Sequence, residues 1–126
     1  MKLLVPLGRA LFSLIFIQAV IGHFSGGAID AASAHGVPLA TLVVPLAGIL
    51  ACIGGLMVLL GYRARFGAFL LLLFLVPVTL VMHDFWSVSD PAQAAMQRAH
   101  FFKNAALAGA ALLLMYHGAG PISLDD

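Results

Sequence analysis

The chain has 126 residues, of which 63% are apolar and only 9% charged, with a formal net charge of +1 and one cysteine. So few charges cannot cover the surface of a soluble domain of this size, and so apolar a chain is not disordered. The lone Cys52 excludes a disulfide scaffold, and the weak net charge offers no basic stripe to nucleic acid. What remains is a small integral membrane protein.

Charged residues divide the sequence into apolar runs. None lies between Ala10 and Ile29, between Ala31 and Tyr62, between Phe66 and His83, or between Asn104 and Leu124. A helix crossing the hydrocarbon core needs about 20 apolar residues, and continuous rather than alternating runs exclude a β-barrel. The runs predict an all-α, four-helix transmembrane bundle, a single domain over 1–126, with helices at approximately 3–22, 39–61, 66–82 and 92–117.

Taken in order, the first run follows Lys2 as a signal peptide would, with Gly26-Gly27-Ala28 as a weak cleavage site. Arg9 interrupts it, and the stretch from Leu3 to Gly22 is long enough to span, so a retained helix is expected. Residues 24–37 form a polar, small-residue loop, within which Ala28–His35 fits a short surface helix. Gly36 and Pro38 separate it from the second helix. Pro45 and Pro77 fall inside the second and third helices, and Pro77 deprives the Leu73 carbonyl of its donor. Asp90-Pro91 with Gln93 reads as an N-cap before the fourth helix, whose first turns stand above the membrane; Gly118 and Pro121 end it. Small residues at four-residue spacing (Ala47/Ala51/Gly55 and Gly48/Cys52 on the second helix, Ala106/Ala110 and Ala105/Gly109 on the fourth) allow close helix approach.

Basic residues set the orientation. Lys2, Arg63 and Arg65 lie at one end, and the loops 23–38 and 83–91 carry no Lys or Arg. The positive-inside rule therefore puts both termini in the cytoplasm.

Ionisable groups inside a bilayer are costly, so they face the bundle or a wet cavity. Arg9, Ser13, Phe16, Val20 and His23 share a face of the first helix, with Tyr62, Tyr116, His117 or freed backbone carbonyls as partners for Arg9. Gln93, Gln97, His100, Lys103 and Asn104 share a face of the fourth. His23, His83, Trp86, His100, Lys103 and Asn104 then fall near one depth and predict a single outer-leaflet polar pocket, with no metal site. The plainer alternatives are that Arg9 and Lys103 snorkel to headgroups and that Trp86 is an interfacial aromatic. Asp84 is free to pair with Lys103 or Arg98, and Arg98 to meet lipid phosphate.

The order of motifs resembles the DoxX family of small bacterial four-helix membrane proteins over nearly the whole chain. The matching elements are Gly8-Arg9, Gly22-His23-Phe24, Gly54-Gly55-Leu56, Leu59-Leu60-Gly61, His83-Asp84-Phe85-Trp86 and Phe102-Lys103-Asn104 with Gly109. The resemblance implies an accessory subunit of a quinone-linked membrane oxidoreductase complex, and with it a redox partner protein. The family's broader relatives include eukaryotic cargo-receptor-like membrane proteins, which are not enzymes. A quinone would be held by the His, Trp, Lys and Asn set, with Lys103 stabilising a developing negative charge. Haem held by histidine pairs is a weaker alternative, since no attachment motif is present. The other reading is a non-enzymatic membrane scaffold, lipid or small-molecule binder, or transport component in contact with the bilayer. The substrate, the electron donor or acceptor and the oligomeric state are not legible in the sequence.

Overall fold

The computed structural model describes residues 1–125. It consists of α1 (Leu4–His23), a short α2 (Gly26–Ala34), α3 (Ala40–Leu60), α4 (Ala64–Met82), a 3-10 turn (Phe85–Ser87) and α5 (Pro91–His117). No strand occurs among the described residues. Three stretches, Leu4–His23, Ala40–Leu60 and Ala64–Ser87, are long and apolar enough to cross a membrane. The expected four spans are thus matched by three on length and composition. His100, Lys103 and Asn104 make α5 more polar than the others.

Local chemistry accounts for the boundaries. The Ser25 hydroxyl accepts the Ala28 N–H at 3.2 Å and starts α2 two residues before the expected position. The Asp90 carboxylate accepts the Gln93 N–H at 3.0 Å, with Pro91 in the first turn of α5. The α4 helix starts at Ala64 rather than 66 because its cap comes from the far end of the chain. Both oxygens of the Asp125 carboxylate are engaged, one accepting the Arg63 N–H at 2.6 Å and the other the Ala64 N–H at 3.0 Å.

The long helices pack in chain order, α1 on α3, α3 on α4 and α4 on α5. The small-residue stripe of α3 carries the first two contacts. A Cβ on Gly48 would lie 2.4 Å from the His23 Cβ, and one on Gly55 would lie 3.0–3.3 Å from atoms of Ile17, Phe16 and Ser13. A Cβ on Gly54 would approach the Gly67 carbonyl of α4 to 3.0 Å. Around this seam Phe16, Ala51, Val58, Ala68, Leu71, Phe74, Leu75 and Ala111 form the core. The corresponding stripe of α5 is not used in the same way: Gly109 has nothing within 4 Å of its Cβ position, and Ala105 and Ala106 are exposed. Only Ala111 of that helix is fully enclosed.

At the end where α3 turns into α4, the segment after α5 folds back across the bundle. Arg9 is 4% exposed and donates from Nη1 to the carbonyls of Ala119 (2.6 Å) and Pro121 (3.2 Å), and from Nη2 to that of Ile122 (2.6 Å). The guanidinium is therefore enclosed by the chain, not by lipid headgroups. Its acceptors are the carbonyls of this returning segment; the side chains of Tyr62, Tyr116 and His117 do not supply them. Leu124 N–H donates to the Leu60 carbonyl at 3.2 Å, and Arg65 Nη1 donates to the carbonyls of Met115 (3.1 Å) and Tyr116 (2.5 Å) at the end of α5. Charged hydrogen bonds contribute about 1.5–3 kcal/mol each when removal leaves partners unsatisfied. The desolvation cost of the buried charge offsets much of their sum, so Arg9→Leu should cost on the order of 2–3 kcal/mol and loosen the C-terminal segment. Thermal unfolding in detergent and carboxypeptidase trimming would show it; an unchanged midpoint and trimming rate would contradict the assignment.

Candidate functional site

The largest concave feature is a groove of about 620 Å³ at the opposite end of the bundle, bounded by α2, the segment 36–38, α3 and α4. Its walls are almost wholly apolar: Val44, Ala47 and Leu50 from α3, and Leu73, Phe74 and Val78 from α4. Pro77 also lines it, and with no N–H it leaves the Leu73 carbonyl without the usual helical donor along the same wall. The α2 helix forms the remaining side because Ala28, Ala31, Ala32 and His35 recur at helical spacing on one face. Ala32 anchors it against Ala40 and Val44, so α2 is a packed element and not a free surface helix.

Three histidines mark the rim: His23, His35 and His83. Each has its Nδ1 engaged. His23 donates to the Ala19 carbonyl at 2.7 Å, His35 to the Ala31 carbonyl at 2.8 Å, and His83 to the Gln97 side-chain oxygen at 2.7 Å. In the neutral imidazole this leaves Nε2 as an acceptor. His23 also lies against Phe74, with ring centroids 5.4 Å apart. His35 Nε2 stands 3.7 Å from the Asp84 carboxylate, so protonation of His35 would tie α2 to the loop after α4. No group of three or more His, Cys, Asp or Glu positioned to hold a metal ion occurs among the described residues.

The six residues expected to share one pocket are distributed over three environments. His23 and His83 line the groove. His100 stacks on His83, centroids 5.1 Å apart and planes 28° from parallel, and so buttresses the rim from the α5 side. Asn104 is 7% exposed and faces a smaller cleft of about 160 Å³ between α4 and α5, beside Leu75 and Thr79. Lys103 is exposed. Trp86 is 57% exposed and packs edge-on to Phe85 and Phe101. Helical geometry explains the split: adjacent residues stand about 100° apart, so a helix that turns Asn104 into the α4 seam turns Lys103 out of it. Asp84 stands 3.7 Å from His35 Nε2 rather than beside Lys103 or Arg98, and Arg98 lies over the Phe85 ring at 5.2 Å. His35 was not among the expected site residues; its four-residue step from Ala31 on the short helix was the available signal.

Three apolar spans define a multi-pass membrane protein, and its groove at the histidine end is built for apolar contact. The profile of the SURF4 family matches residues 31–126, and the chain belongs to that family. It is 28% identical over 124 residues to inner membrane protein YphA of Escherichia coli (strain K12), covering 97% of this chain and 88% of that protein. It is also 29% identical over 119 residues to the Surfeit locus protein 4 homolog of Schizosaccharomyces pombe, covering 94% of this chain but 38% of that longer protein. No solved structure matches. The family match corrects the DoxX resemblance, and the quinone-oxidoreductase role that the resemblance implied finds no support in these matches. The similarity to an inner-membrane protein over nearly the whole chain agrees with the three apolar spans, and the protein is a multi-pass inner-membrane protein.

Thr79 offers a test of the α4–α5 seam. Its Oγ1 is buried with no hydrogen-bond partner among the described residues. Replacing an unpartnered buried hydroxyl by a methyl removes a desolvation cost of about 1 kcal/mol without changing shape. Thr79→Val should therefore raise the thermal midpoint slightly or leave it unchanged; a clear fall would mean that the hydroxyl has a partner in the membrane.

Proposed function

We propose that the protein is a non-enzymatic membrane component that holds an apolar chain, such as a lipid acyl or isoprenoid tail, in the groove between α2, α3 and α4. The observation that carries this reading is the chemistry of the groove. Its volume of about 620 Å³ lies within the usual range for small-molecule sites, its walls are apolar, and its polar groups are confined to the histidine rim. A ligand with an apolar tail and a hydrogen-bonding head fits that division. The quinone reading needs Lys103 and Trp86 beside the ligand, and neither lines the groove, so the binding reading stands without it.

The same proposal includes the chain as one transmembrane domain over 1–126, with α5 as a fourth span. At about 1.5 Å per residue its 27 residues extend about 40 Å, more than the hydrocarbon core of about 30 Å. Its first turns meet the loop after α4 through Gln97 and His83, and its last turn meets Arg65 at the start of α4. Both termini lie with Arg63 and Arg65 on the cytoplasmic side, and the histidine rim faces outward. A reporter active only outside the cytoplasm should be silent when fused to the C-terminus and active when inserted in the segment 35–38. The reverse pattern would overturn the topology.

Filling the groove tests the binding. Ala47→Phe and Val78→Trp place bulk among its walls, and protein purified in mild detergent should lose a co-purifying lipid-sized adduct in native mass spectrometry while its helical content is unchanged. Wild type and both filled variants carrying the same adduct, or none carrying any, would count against the proposal.

A further inference from the structure

A second concavity lies at the other end of the bundle and has the opposite chemistry. It encloses about 560 Å³ and is lined by Arg63, Arg65, Phe66, His117, Gly118 and Ser123, among others. Its walls carry two guanidiniums against one carboxylate, Asp125, and neither arginine side chain makes an ion pair among the described residues. The nearest carboxylate, Asp125, has both oxygens engaged by the backbone N–H groups of Arg63 and Ala64. The start of α4 is thus already capped, and what remains available is the side-chain charge.

The two guanidiniums are held but not used up. Arg63 lies over the Phe66 ring at 5.4 Å, which fixes its plane and leaves its N–H groups without an acceptor among the described residues. Arg65 uses Nη1 on the carbonyls of Met115 and Tyr116. Its Nε and Nη2 lie beside Gly118, where a Cβ would stand 3.2 Å from both atoms; the glycine, at φ +82°, leaves that edge uncovered. An Nε/Nη2 edge is the side of arginine that matches two oxygens of one phosphate. His117 adds a further donor on the same wall.

From these observations we infer that this pocket binds the phosphodiester of an anionic glycerophospholipid in the cytoplasmic leaflet. The shared chemistry is a phosphate bearing two unesterified oxygens, one pair for the Arg65 edge and the charge for Arg63 and His117. A lipid is the source because the pocket opens at the ends of α4 and α5, at the level where headgroups lie in the proposed topology, and because that leaflet is the anionic one. The inference rests on the orientation given above but not on the contents of the groove.

The test uses the full chain in detergent, offered equimolar phosphatidylglycerol and phosphatidylcholine with identical acyl chains, with bound lipid read by native mass spectrometry. Wild type should retain phosphatidylglycerol about fivefold or more over phosphatidylcholine, the preference expected from about one uncompensated charge near the membrane surface. R63Q with H117Q should reduce that preference at least twofold although the Arg65 edge remains, and R63K with H117Q should restore part of it, because neither Arg63 nor His117 holds the end of α5 as Arg65 does. Ala47→Phe should leave the preference intact, which separates this site from the groove. Equal retention of the two lipids by wild type overturns the inference, even if the double variant fails to fold. Full displacement of phosphatidylglycerol by millimolar inorganic phosphate would reassign the pocket to a soluble phosphate and overturn the lipid assignment.

Discussion

The buried guanidinium of Arg9 is the constraint on which the arrangement of the helices depends. A charge within an apolar helix is expensive unless several acceptors meet it, and helical backbone has no carbonyls to spare. The chain supplies them by leaving the helical state at Gly118 and presenting three carbonyls from 119–122 to one fork of donors. Non-helical backbone at this depth is tolerated because protein, not lipid, satisfies it. The same return brings Asp125 to the start of α4 and Leu124 to Leu60, so one polar cluster joins the beginning of α1, the α3–α4 turn and the end of α5. Close packing requires it there too: a Cβ on Gly61 would lie 2.3 Å from the Ser123 Cβ, and one on Gly120 would lie 2.7 Å from Val5.

That cluster matters most for α5. The α3 helix packs on both α1 and α4, but the main neighbours of α5 are α4 and the 3-10 turn. Much of α5 is turned outward, including Phe102, Leu112 and Leu113. A helix held along one seam needs its ends fixed, and α5 has both. At one end His83 bonds Gln97 and stacks on His100, while Phe85 packs against Phe101 at 5.4 Å. At the other, Arg65 holds its last carbonyls.

The sequence was informative wherever one local pattern decided the outcome. Unbroken apolar runs, the Asp90-Pro91 cap and the small-residue stripes that include Gly48 and Gly55 correspond to helices and seams close to where the chain forms them. It was least informative where distant residues meet. Asp125 capping α4 and the tail carbonyls meeting Arg9 join positions 62 and 110 residues apart, respectively, and no periodicity encodes such pairs. How the candidate site residues group in space was hard to read for a related reason. His23 and His83 reach one groove, but the rotation of α5 decides whether Asn104 or Lys103 faces inward, and a polar face that wide does not fix the rotation.

In the proposed reading the two ends of the bundle have separate physical roles. At the histidine end, α2, α3 and α4 line one groove, Pro77 interrupts the hydrogen bonding of α4 along it, and the groove is apolar with histidines at its rim. At the other end backbone carbonyls and N–H groups are consumed by Arg9 and Asp125, which leaves Arg63 and Arg65 with charge to spare. An apolar cavity gains nothing from uncompensated charge nearby, because its ligands enter by displacing lipid rather than by attraction. A headgroup pocket gains nothing from apolar volume but depends on charge that the protein has not already neutralised. Separating the two by the length of the bundle lets each be built without weakening the other, and the polar tail cluster is what keeps the charged end ordered.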